Sequence, residues 1–186
     1  MTDTDTLVFD TGPLSHFAIN NWLGVLKAVV GDRKALIPDV VVAELGAGAA
    51  RDARIAAVLQ AFWIEQRELR SLEEIKAYAH FAQLLVRSER NRGEAGVLAL
   101  AQTLDATAVV DDRAARKAAE DHKILLSPTL ALLCASIRSG LLTVPLVSEL
   151  ADDLLSSEYH LPFKTGHFLH WATENGLIPV DLPRTS

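Results

Sequence analysis

NRGEAGVLALAQTLDATAVVDDRAARKAAE, residues 91–120, reads as helix, short strand, helix. Val97, Leu98, Ala101 and Leu104 recur at helical spacing, and Ala106–Val110 is an apolar run of strand length. Glu94 lies one turn before Val97 and Leu98, on the side of the helix that must face inward. Asp111 and Asp112 follow directly on the strand, at its carboxyl end, where open α/β sheets place their ligand sites. One segment therefore aims a carboxylate inward from a helix start and sets two more at a strand end, an arrangement that calls for a cation. Each acid also has a structural alternative. Asn91-x-x-Glu94 has the form of a capping box, and Asp112 suits the N-cap of a helix over residues 113–120. The choice turns on whether carboxylates occupy matching places elsewhere, and they do.

Toward the N-terminus, Thr6–Phe9 reads as a buried strand that Asp10 terminates, and Thr11-Gly12-Pro13 turns the chain with Pro13 at a first helical position. Leu14, Phe17, Ala18, Trp22, Val25, Leu26 and Val29 form one long apolar helix face. His16 lies near Asp10 and reads as a hydrogen-bonded structural residue. Lys34–Ile37 is a second strand, and Pro38-Asp39 opens a helix. There Val40, Val41, Val42, Ala43 and Leu45 leave almost no polar face, so burial nearly all round is expected. Glu44 stands alone in that surround, where an ionised carboxylate is costly unless paired or metal-bound. It can reach solvent or pair with Arg51 or Arg54, but the aspartate at the first strand end favours a shared cation.

Between these regions, Ile55, Val58, Leu59 and Phe62 make a helix face that leads into a short strand over Trp63–Gln66. Ser71-Leu72-Glu73-Glu74 is a capping box for a helix running to Val86. Arg87, Arg90 and Arg92 cluster before Glu94, as a solvated face or a phosphate-holding one. Downstream, Lys123–Leu126 reads as a final short strand, and Ser127-Pro128 caps a helix that ends at Ser139 and Gly140. Strand–helix alternation across residues 6–140 predicts a three-layer α/β/α domain with a mostly parallel central sheet. Residues 141–186 read as a C-terminal helical extension packed on residues 1–140. One of its helices follows Pro145, and another spans Thr165 to Asn175.

The 186-residue chain is 49% hydrophobic, which fits one compact domain with a small appendage. A net charge of −6 argues against a surface that clings to nucleic acid throughout, although a metal-filled acidic site can be locally positive. Cys134 is the sole cysteine, so no intramolecular disulfide forms, and its apolar helical setting reads as core. The N-terminus lacks a basic-then-apolar signal, and Ser127, Pro128 and Thr129 break the longest apolar region. A soluble cytoplasmic protein without membrane contact is expected.

Four stretches now stand in order: LVFDTGPLSHFA (7–18), IPDVVVAEL (37–45), NRGEAGVLALA (91–101) and AVVDDRAARKAAE (108–120). Together they resemble the PIN-domain nucleases, most closely the VapC-like toxin group, over roughly the first three quarters of the chain. The resemblance implies a compact α/β/α fold and Mg²⁺- or Mn²⁺-dependent hydrolysis of phosphodiester bonds, usually in RNA. It maps the catalytic, metal-binding acids to Asp10, Glu44, Glu94 and Asp112, with Asp111 a further candidate ligand. Two positions depart from the family pattern: Glu94 stands where many relatives carry Asp, and Asp111-Asp112 replaces a commoner Thr/Ser-x-Asp.

The chemistry agrees with the resemblance. Carboxylates are hard ligands suited to these cations, and no Cys/His set for zinc is read in the sequence. Arg92, Arg113 and Arg116 are candidates for neutralising phosphate oxygens, the last two alternatively pairing with Glu120 or Asp121. The expected protein is an endoribonuclease, the toxin of a toxin–antitoxin pair, with RNA as substrate. The apolar residues after Leu141 must be buried, either in an enlarged core or in a homodimer or antitoxin interface. Two other readings stand beside this one. A catalytically silent PIN-like binding module would have no reason to keep four buried acids. A receiver-type phosphoacceptor domain wants an acidic pair after its first strand and a late lysine, whereas this chain has a single Asp10 there and Ser127-Pro128 at the last strand end.

Overall fold

A strand that is apolar at consecutive positions must be covered on both faces, and Thr6–Phe9 (β1) is buried at all 4 residues. In the computed structural model, which describes residues 5–86 and 91–179, β1 lies inside a 4-stranded sheet. It pairs in parallel with Lys34–Pro38 (β2) on one side and Thr107–Val109 (β4) on the other. Ile64–Arg67 (β3) pairs in parallel with β2, giving the order β3-β2-β1-β4. The helices between the strands are Thr11–Ile19 (α1), Leu23–Val30 (α2), Asp39–Ala49 (α3), Ala56–Leu59 (α4), Leu72–Leu85 (α5) and Arg92–Leu104 (α6). Arg113–Asp121 (α7) and Thr129–Arg138 (α8) follow β4. The result is the three-layer α/β/α architecture with a parallel central sheet that the alternation predicts.

The chain divides into two compact units between Thr129 and Leu130. The first has the sheet at its centre, with Leu7, Val8, Phe9, Leu36, Ile37, Ala108 and Val109 almost wholly removed from water. Burying each large apolar side chain contributes roughly 1.5–3 kcal/mol. The second holds Val144–Ser156 (α9) and Phe168–Glu174 (α10), which pack on each other. Pro145 stands in the first turn of α9, and Phe163 stacks against Phe168 and Trp171. Cys134 is buried, and that burial pushes its thiol up to about 11, as expected of a core cysteine.

Several local expectations are corrected. The long helix after Asp10 is two helices, because Asn21 adopts a left-handed backbone with φ 61° and the Asn20 side chain donates to the His16 carbonyl. Phe62 is 87% exposed, since the helix expected through it ends at Leu59. Residues 123–126 do not form a strand. Lys123 is left-handed and Pro128 follows closely, so only Leu126 bridges to Ala108. The helix buried nearly all round is α6 rather than α3. Gly93 and every residue from Ala95 to Ala101 are buried, whereas Ala43, Gly46 and Ala47 of α3 face solvent. Small residues explain this, because α6 crosses β1, β2 and β4 while flanked by α3 and α5.

Candidate active site

Reversal of strand order on either side of β1 makes the gap between β1 and β4 a topological switch point, the place where open parallel sheets hold ligands. Asp10 and the Asp111-Asp112 pair leave the carboxyl ends of these two neighbouring strands, and the Asp10 N–H still donates to the Val109 carbonyl at 3.2 Å. Asp10 caps α1, its Oδ2 accepting from the Gly12 N–H at 3.3 Å. Its side chain is buried, and Oδ1 has no hydrogen-bond partner. A buried carboxylate oxygen left without a donor is expensive unless a proton or a cation serves it.

Glu44 comes to the same place from α3. Its Oε1 accepts from the Gly93 N–H at 3.0 Å, and its Oε2 accepts from the Thr11 hydroxyl. Among the described residues neither Arg51 nor Arg54 pairs with it, and Arg54 pairs with Asp52 instead. Gly93, at the start of α6, is where the two acids meet. A Cβ there would stand 2.6 Å from Glu44 Oε2 and 2.7 Å from Asp10 Oδ1, so only glycine admits both carboxylates beside the helix backbone.

Glu94 follows in the first turn of α6 and is half-buried. The capping-box alternative does not hold, because Asn91 is left-handed and makes no side-chain cap bond. Burial pushes the Glu94 carboxyl up, and the Glu44 and Asp112 charges push it further. Asp10 behaves likewise and more strongly. Burial raises it well above the usual carboxylate range, Glu94 and then Glu44 add to the rise, and the Thr11 and Gly12 N–H groups oppose it. Asp10 and Glu94 thus both feel neighbouring carboxylates, Glu44 acting on each of them and Asp112 on Glu94.

Asp112 is exposed and caps α7, with Oδ1 accepting from the N–H groups of Ala114 and Ala115 at 2.8 and 3.0 Å. Asp111 turns elsewhere, accepting from the Thr129 N–H at 2.9 Å and the Thr129 hydroxyl at 2.5 Å. Arg92, Arg113 and Arg116 are all exposed, at the start of α6 and along α7. Arg87 and Arg90 lie outside the described residues.

Divalent cations fit this donor set, all oxygen and all acidic, with one orphaned buried atom at its centre. As the side chains stand, no group of three His, Cys, Asp or Glu residues among the described residues is arranged to hold a metal ion. Both oxygens of Glu44 and one of Asp112 are turned to hydrogen-bond donors of the protein. A groove of about 910 Å³ lies apart from the acids, beside β3 and the start of α5. Arg67 and Arg70 line it but are paired with Glu74 and Glu68, which leaves little charge for a phosphate.

With that geometry in place, a family model described as DUF3368, a PIN domain, matches residues 6–167. The chain belongs to the PIN-domain family. The match runs further than the four motifs do, reaching through α9 to His167. No curated protein matches the chain. Among solved structures, a chain from the crystal structure of VapBC2 from Rickettsia felis bound to a promoter DNA fragment is similar. It is 17% identical with a TM-score of 0.47, and the alignment covers 66% of this PIN protein and 98% of that chain.

Two residues of the site were not legible in the motifs. From the sequence Gly93 has no role, and Thr11 stands only in a turn. The signal for Thr11 is a hydroxyl directly after a strand-terminal acid. For Gly93 it is a glycine placed directly before an inward-facing glutamate.

Proposed function

We propose that this PIN domain is a metal-dependent ribonuclease with Asp10, Glu44, Glu94 and Asp112 as its acids. The observation that carries this reading is Asp10 Oδ1, buried, unpartnered and pressed by the charges of Glu94 and Glu44. Mg²⁺ or Mn²⁺ held by these carboxylates would polarise a scissile phosphate and lower the pKa of an attacking water. Thr11 and the Gly93 N–H fix both oxygens of Glu44, so that carboxylate is oriented in advance. Arg113 and Arg116 stand exposed within the first turn after Asp112, where guanidinium forks suit non-bridging phosphate oxygens, and Arg92 stands at the start of α6. Asp111 is assigned to structure, because both its oxygens serve Thr129.

The nuclease is assigned to residues 1–140, and the family's VapC-like members suggest that it is the toxin of a toxin–antitoxin pair. Residues 141–186 are proposed to contribute a homodimer or antitoxin surface. Among the described residues no helix is long and apolar enough to cross a membrane. The test is incubation of the purified chain with single-stranded RNA, with and without Mn²⁺, beside Asp10→Asn. Cleavage that needs the cation and vanishes in the variant supports the reading. Binding of RNA without cleavage, unchanged by Asp10→Asn, would favour the silent binding module instead.

A further inference from the structure

Two imidazoles meet where α5 and α7 pack together, away from the acids and unused by the proposed reaction. His80 Nε2 and His122 Nε2 are 2.8 Å apart, and the ring centroids are 4.9 Å apart. The tautomer of one ring is dictated by its other nitrogen. His122 Nδ1 lies 2.8 Å from the Ala118 carbonyl, which only accepts, so Nδ1 carries the proton. In the neutral ring the Nε2 lone pair then points at His80. This is the arrangement found in metal-binding histidines, whose second ring N–H is anchored on a carbonyl or carboxylate.

The surroundings hold the pair in place without closing it. Phe81 is fully buried and meets both rings edge-on, with centroids 5.3 Å from His80 and 5.1 Å from His122. His80 itself is exposed on α5, so the gap between the two Nε2 atoms opens to water.

We propose that His80 and His122 form a second cation site, selective for borderline divalent metals of the zinc class rather than for Mg²⁺ or Mn²⁺. With the ring proton of His80 moved to Nδ1, both Nε2 lone pairs face the gap between the rings, and small movements of the rings would bring them onto one metal. Tetrahedral zinc with Zn–N bonds of about 2.0–2.1 Å places two nitrogens about 3.3 Å apart. The rings must therefore separate by about 0.5 Å, within reach of small side-chain rotations. Water fills the remaining positions. Imidazole nitrogen is the donor that distinguishes this site from the all-oxygen one. Since His122 closes the C-terminal end of α7, whose N-terminal end is Asp112, a metal here would fasten that helix to α5.

The test uses the full-length chain with Zn²⁺ alone as the probe, in excess Mg²⁺ so that the carboxylates are occupied. Calorimetry is expected to show one saturable zinc equivalent, retained in Asp10→Asn. Affinity should fall at least about tenfold in His80→Gln and in His122→Gln. Nitrogen-detected NMR of the unmutated protein provides a measurement that no folding defect can confuse. Zinc should shift Nε2 of both rings and leave His122 Nδ1 protonated. Unmoved ring nitrogens, or zinc binding that both glutamine variants keep, would overturn the proposal and leave the pair as a hydrogen bond between helices.

Discussion

The Thr11 hydroxyl donates to Glu44 Oε2, joining the residue after Asp10 to a carboxylate 33 positions further along the chain. Together with the Gly93 N–H on Oε1, this bond fixes Glu44 against rotation about its terminal torsion. Thr11→Val keeps the shape and removes the donor. It should lower Mn²⁺ affinity or RNase activity by about 10–100-fold, the usual cost of losing a group that orients a ligand. Thr11→Ser should keep most of both. Equal activity in the valine and serine variants would mean that the hydroxyl orients nothing.

Asp10→Asn removes the charge that burial and two neighbouring acids oppose. The metal-free variant should melt higher than the parent. Millimolar Mn²⁺ should raise the melting temperature of the parent by linkage and leave the variant almost unmoved. Cleavage of RNA should drop by at least about 100-fold, since even indirect losses at metal sites reach that size. Identical melting curves for the two proteins, with and without cation, would remove the case for a shared acidic site.

The same residues set a pH dependence of unusual sign. The folded state keeps protons on Asp10 and Glu94 that the unfolded chain releases near 3.8 and 4.5. Over that window the native state binds more protons, so stability falls as pH rises from the unfolded values through the raised folded ones. The destabilisation then persists at neutral pH in the absence of metal. Glu74, lowered by its hydrogen bonds to Ser71, Arg70 and Arg67, acts in the opposite direction. The clean quantity is therefore the difference between Asp10→Asn and the parent by chemical denaturation. It should grow with pH from about 4 upward, and a flat difference would contradict the raised carboxyl.

Asp111 and Asp112 should separate by what each loses. Asp111→Asn weakens the bonds to the Thr129 N–H and hydroxyl and should cost about 1–2 kcal/mol of stability with modest loss of activity. Asp112→Asn keeps a good N-cap on α7 while deleting the charge, so stability should hold and metal-dependent cleavage should fall. The reverse pattern would move the fourth acid back by one residue.

Glycines 93 and 96 should fail differently. Gly93→Ala drives a methyl into Asp10 Oδ1 and Glu44 Oε2, and displacing reacting groups by about 1 Å can cost 10²-fold in rate. Gly96→Ala meets Val40 Cγ2 at 2.2 Å and Pro38 Cγ at 3.2 Å, an overpacking of α6 on β2 and α3 worth about 1–3 kcal/mol. RNase assays and urea melts of the two variants read the distinction.

The strand ends and the acids were legible because chemistry at those positions is encoded locally. A strand such as Thr6–Phe9 is a run of apolar residues, and Asp10 is what stops it. What a helix packs against is not local. Val40–Leu45 predicts a helix buried nearly all round, yet α6 is the buried one, because its small side chains let it lie close to the sheet between α3 and α5. Likewise, Asn91-x-x-Glu94 has the letters of a capping box, but Asn91 adopts a left-handed backbone and its side chain makes no cap bond. The residues around Lys123 have strand composition and lack the straight backbone to use it.

The central helix α6 also bears on the order in which the molecule assembles. With glycine at 93 and 96, its first turns have little tendency to hold together in water, and they gain structure chiefly by docking. Until that docking, Glu44 has no N–H at position 93 to rest on and Asp10 is not yet crowded by Glu94. The acidic centre therefore comes into being only as the core closes around α6. The amide protons of residues 95–101 should accordingly exchange only through global unfolding, so that the slowest-exchanging segment of the protein also lies beneath its cluster of acids.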